Sequence, residues 1–151
     1  MTIAIRYFTK SKKGNTEKLA QQIAKATGLR ALTVADDLKS RVDRLFLVNA
    51  MYAANIDGEV KDFLARNKDQ IGQIVNFSTS CSGKSTWSMV KRVADELEIP
   101  LSEQEFHCAA SWIFLNKGLP CEEDYQRARR FAQDMMEQGL SKSSLCGAQG
   151  G

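Results

Sequence analysis

The sequence predicts an α/β fold, a doubly wound five-stranded parallel sheet with helices on both faces. Three observations carry this. Five short apolar runs alternate with about four amphipathic stretches, which is the rhythm of βαβ units. The third and fourth runs, LFLV and IVNF, are continuously apolar, as strands covered on both faces of a parallel sheet are. The length of 151 residues, 43% of them hydrophobic, suits one ordinary domain.

In chain order, strands are expected over residues 2–8, 30–34, 44–49, 72–78 and 104–110. The helix over 15–27 places Leu19, Ala20, Ile23 and Ala24 on one stripe, and that over 57–68 does so with Val60, Phe63 and Leu64. Residues 84–98 offer Val90, Val93, Ala94 and Leu97, with Pro100 shortly after the end. Residues 122–137 offer Tyr125, Ala128, Phe131, Ala132 and Met135, with Glu122, Glu123 and Asp124 complementing the helix dipole at the start. Residues 35–42 fit either a short helix or a plain loop. The domain is read as 1–140, followed by a small, polar, flexible tail over 141–151.

The formal net charge of +3 is too mild for a nucleic-acid binder. Its distribution says more. The first 30 residues hold seven bases against Glu17 alone, while residues 31–151 hold 14 bases against 17 acids. A local basic cluster asks for an anionic partner. Four cysteines without C-x-x-C spacing, and the single His107, provide no zinc-ligand set. His107, inside the fifth strand, is read as a satisfied buried residue. No apolar run approaches a membrane span and the start does not read as a signal peptide. A soluble, reduced, cytoplasmic protein is therefore expected, with a monomer as the default.

In a doubly wound sheet the ligand lies outside the carboxyl ends of the strands, so the loops after strands one, three and four are the ones to inspect. The first holds Thr9, Lys10, Ser11, Lys12, Lys13, Gly14, Asn15 and Thr16. Hydroxyls, lysines and a glycine before a helix suit a phosphate. The loop is neither G-x-G-x-x-G nor a Walker A. Strand three runs into Ala50, Met51, Tyr52, Ala53, Ala54 and Asn55, where Met51 and Tyr52 offer a flat wall to a ring; Asn55 or Asp57 caps the next helix. Strand four ends in Ser78, Thr79, Ser80, Cys81, Ser82 and Gly83. The Gly83-Lys84-Ser85 triplet mimics a P-loop, but Ser78 stands where its first glycine is required. Trp87 fits ring stacking and core packing equally well.

The run Gly14-Asn15-Thr16-Glu17-Lys18-Leu19-Ala20 after strand one resembles the flavodoxin family, as does the loop from Asn49 into Val60-Lys61-Asp62-Phe63-Leu64. A Gly118-Leu119-Pro120 sequence ahead of the acidic, Ala/Phe-rich last helix is similar too. The resemblance covers the chain to about residue 138. The lysines Lys12 and Lys13 depart from the family's [ST]-x-T-G-x-T phosphate loop. The resemblance implies a strand order 2-1-3-4-5 and FMN as cofactor, with the first loop on its phosphate and residues 50–55 and 78–83 flanking its ring. It also implies electron transfer between a reductase and an acceptor protein. Two alternatives are an FMN-dependent reductase or oxidase of a quinone, tetrapyrrole or similar acceptor, and a flavin-free interaction module.

Overall fold

The computed structural model describes residues 1–10, 14–51, 55–111 and 118–150, with side chains described as far as residue 138. Strands β1 (Ile3–Tyr7), β2 (Ala31–Thr33), β3 (Arg44–Ala50), β4 (Ile74–Ser80) and β5 (Phe106–Ala109) form one sheet of order β2-β1-β3-β4-β5, parallel throughout. Helices α1 (Asn15–Thr27), α2 (Gly58–Asn67), α3 (Trp87–Leu97) and α4 (Glu122–Gly150) are the connections and the last element. The fold class and strand order are those expected. The chain reverses its direction of travel across the sheet at β1 and β3, which opens a crevice at their carboxyl ends.

Alternate strand residues face opposite sides. On one side Ile5, Tyr7, Phe46, Val48, Val75, Phe77, Phe106 and Cys108 pack against Leu19, Ala20 and Ile23 of α1 and Ala128, Ala132 and Met135 of α4. Phe77 is the centre, with Phe46 at 5.3 Å and Phe131 edge-on at 5.4 Å between centroids. On the other side Leu45, Leu47 and Ile74 meet Val60, Phe63 and Leu64 of α2 and Val90 and Ala94 of α3. Each fully buried large side chain contributes about 1.5–3 kcal/mol.

One open choice is decided and some details differ from expectation. Residues 35–42 form the loop, not the short helix, held by Arg6, whose guanidinium donates to the carbonyls of Asp36 at 2.8 Å and Asp37 at 3.4 Å. Arg6 is therefore buried among carbonyls and is no part of a basic surface. His107 is exposed, not buried: β5 is the sheet edge, and the imidazole turns to solvent with Nδ1 3.1 Å from Glu105 Oε1. The backbone of α4 continues as helix to Gly150, past the 122–137 that the periodicity gives and through most of the segment read as a tail. Helix α3 begins at Trp87 rather than at 84.

Candidate functional site

The loops leaving β1, β3, β4 and β5 are tied together at the carboxyl end of the sheet. Gly14 is the N-cap of α1 in the left-handed region (φ 49°, ψ 60°), a conformation costly for residues bearing a Cβ. A glycine cap brings no side-chain acceptor, and the first helical hydrogen bond runs from the Lys18 N–H to the Gly14 carbonyl at 2.8 Å. The first-turn N–H groups and the positive dipole end thus face the loop. Asn15 does not fold back on them, because its Nδ2 donates to the Ser111 carbonyl at 3.2 Å and its Oγ at 3.1 Å, joining α1 to the end of β5. Thr16 points into the sheet, its hydroxyl 3.2 Å from that of Thr79.

Lys10 spans from the first loop to the third. Its Nζ is 2.9 Å from Asp57 Oδ2, while Asp57 Oδ1 accepts from the Glu59 N–H at 2.9 Å as the cap of α2. The Lys10 ammonium, then the Glu59 N–H, hold the Asp57 carboxyl below the usual carboxylate range. Asn55 accepts from the Ile56 N–H, so Asp57 is the helix cap of the two residues considered. The Met51 N–H bonds the Thr79 carbonyl at 3.2 Å, which carries the β3–β4 pairing to the rim of the crevice.

The β4–α3 loop is a compact turn. Ser80 Oγ donates to the Lys84 carbonyl at 2.8 Å, the Gly83 N–H reaches the Ser80 carbonyl, and Ser82 Oγ accepts from the Lys84 N–H at 3.3 Å. Gly83 takes a left-handed φ of 77°. Cys81 and Ser82 are exposed at the tip.

The structure brings Thr9, Lys10, Gly14, Asn15, Thr16, Ala50, Met51, Asn55, Thr79, Ser80, Cys81, Ser82 and Gly83 to this end of the sheet. Ser11, Lys12, Lys13, Tyr52, Ala53 and Ala54 lie outside the described residues. Two expected residues turn elsewhere. The Ser78 side chain is fully buried beneath α3, where its Oγ accepts from the Thr86 N–H at 3.2 Å. The Trp87 indole N–H donates to the Ser102 carbonyl at 2.8 Å, and Ser102 follows the bridge to Ile74 at the amino end of β4. Of its two readings, that geometry matches packing rather than ring stacking.

Sequence reasoning missed a buried polar cluster directly below the β4–α3 loop. Asn49, Asn76 and Thr86 have no exposed surface. Asn49 Nδ2 donates to Asn76 Oδ1 at 2.8 Å, Asn76 Nδ2 to Thr86 Oγ1 at 2.9 Å, and Thr86 Oγ1 to Asn49 Oδ1 at 2.6 Å. The one available signal is an asparagine inside each of two otherwise apolar runs, LFLVN and IVN.

Solved structures of the same fold include flavodoxins. One from the domain Archaea has a TM-score of 0.68 at 14% identity, over 91% of this chain and 98% of that one. Flavodoxin 2 from Bacillus cereus has 0.66 at 16%, over 91% and 99%. The Fusobacterium nucleatum flavodoxin bound to flavin mononucleotide has 0.64 at 12%, over 91% and 99%. No family model matches the chain, nor does any curated protein. The chain has the flavodoxin-like fold.

Proposed function

We propose that this chain binds FMN at the carboxyl ends of β1, β3 and β4 and carries electrons between a reductase and an acceptor protein. The start of α1 carries the reading: a left-handed Gly14 brings no side-chain cap to the first-turn N–H groups, in a loop of hydroxyls and lysines, at the switch in strand order. That donor set fits a phosphate monoester. Thr9, Lys10, Ser11, Lys13 and the backbone of residues 14–16 surround the phosphate on this reading. Residues 50–55, with Met51 and Tyr52 as the flat wall, and residues 79–83 flank the ring. Bound there, FMN supplies one- or two-electron chemistry, while the chain supplies the dipoles, walls and charge that set its potentials. A cytoplasmic location accords with the reduced thiols of Cys108 and Cys121.

Purified protein titrated with FMN is expected to form a stoichiometric yellow complex with perturbed flavin absorption. A chain that stays colourless and leaves added FMN unperturbed overturns the reading and leaves a flavin-free interaction module. The basic balance, +3 overall, favours one alternative within the same cofactor: a reductase acting on a small acceptor itself. Steady turnover of a quinone by a reduced nicotinamide, with no partner protein added, would decide for the enzyme.

A further inference from the structure

The Asn49–Asn76–Thr86 cluster is a closed directional ring. Each side chain donates once and accepts once around it, so that reversing any one group breaks the cycle. It sits where the sheet otherwise buries apolar side chains. Leu47 pairs with Asn76 and Asn49 with Ser78 in the β3–β4 register, placing both asparagines on the face beneath α2 and α3. Burying three polar groups yields no more net stability than apolar residues of similar size do. What the ring adds is a fixed direction and distance.

Thr86 is the hub, and its bonding is unusual for its position. As the N-cap of α3 its hydroxyl would ordinarily accept from a first-turn N–H, yet it makes no cap bond. The neighbouring Ser85 accepts from the Trp87 N–H instead, at 2.9 Å. The Thr86 hydroxyl is committed to the ring, and its N–H to Ser78 Oγ at 3.2 Å. One residue thereby anchors the far end of the β4–α3 loop to two strands, to β3 through Asn49 and to β4 through Asn76 and Ser78. The near end leaves β4 at Ser80, and the β3 loop begins at Ala50, one residue beyond Asn49.

We infer that Asn49, Asn76 and Thr86 are positioning residues that set the separation between the β3 loop and the β4–α3 loop, the two walls of the proposed ring site. This rests on the FMN reading for its purpose but not for its geometry. The test uses Thr86→Val, which keeps the shape and deletes both hydrogen bonds of the hydroxyl, and Thr86→Ser, which restores them. Two measurements are made on the full chain: FMN affinity and midpoint potential, and amide hydrogen exchange of residues 81–85 without flavin.

Thr86→Val is expected to speed exchange at 81–85 by about tenfold or more, with the strands unchanged, and to weaken FMN binding by about tenfold while shifting the potential. Thr86→Ser should return both to near the original values. Ser78→Ala, a milder loss of the same anchor, stands in should Thr86→Val not fold, with faster local exchange again expected. Unchanged exchange at 81–85, or a rise spread evenly over the protein that serine does not reverse, overturns the inference. Faster exchange at 81–85 in a chain that binds no FMN upholds the positioning role and removes the flavin reading.

Discussion

Beneath α1 and α4, β3 and β4 present Phe46, Val48, Val75 and Phe77; one residue along the same strands, the face beneath α2 and α3 receives Leu45, Leu47 and Ile74, then Asn49, Asn76 and Ser78. Both faces are closed to water. The first is bound by shape and dispersion, with an aromatic cluster around Phe77. The second has that character only toward the amino ends of its strands. Toward the carboxyl ends, where the loops depart, hydrocarbon gives way to hydrogen bonds that hold in one geometry only. Cohesion tolerates adjustment in a way that a directional bond does not, so the polar content lies where loop position matters.

The largest expected effect breaks the apolar face. Phe77→Ala removes a fully buried ring with aromatic neighbours on three elements, and should cost about 3–5 kcal/mol in urea unfolding. If the comparison holds, the folded fraction still binds FMN with little change, since the ring partners of Phe77 are Phe46 and Phe106 on strands and Phe131 on α4. A loss of affinity as large as the loss of stability would show that the two faces are not separable.

A smaller effect is expected at Gly14. Alanine there must adopt the left-handed conformation at a cost of about 1–2 kcal/mol, at the residue that opens α1 toward the loop. Gly14→Ala should therefore lower both stability and FMN affinity, in contrast to Phe77→Ala, which lowers stability alone. Unchanged denaturation and affinity would remove Gly14 from the phosphate cradle.

The fold was legible because burial writes itself into local periodicity: every strand was found within two residues at its ends, the helical stripes of α1 and α2 match the buried residues, and those of α3 and α4 depart only at the half-buried Leu97, Tyr125 and Phe131. His107 was misread because strand periodicity does not tell which face of an edge strand the helices cover: Phe106 and Cys108 are buried on one face, His107 is exposed on the other. The loops carrying Gly14 and Gly83 could be found from residue type, since glycine and hydroxyls near strand ends have few other uses. The ring could not. Thr86 lies ten residues from Asn76 and 37 from Asn49, and only the register of β3 on β4 makes them neighbours. Trp87 stays open between ring stacking and packing in the sequence for a related reason, because its partner Ser102 comes from the connection to β5.

The smallest effect concerns the link between the first and third loops, which is exposed where the ring is buried. The Lys10 side chain is 59% exposed, so its pair with Asp57 is worth only about 0.2–1 kcal/mol. Asparagine caps a helix about as well as aspartate, so Asp57→Asn isolates the charge. The Asp57 carboxyl titrates below its unfolded value of about 3.9. Its contribution is therefore complete above that value and disappears as the pH falls through the lower, folded one. The variant should be slightly less stable than the parent near about pH 7, with the gap closing toward about pH 3 and shrinking in high salt. A gap that widened on acidification would mean that Asp57 is held by something other than Lys10 and the α2 amide, and would cut this ionic tie between the two loops.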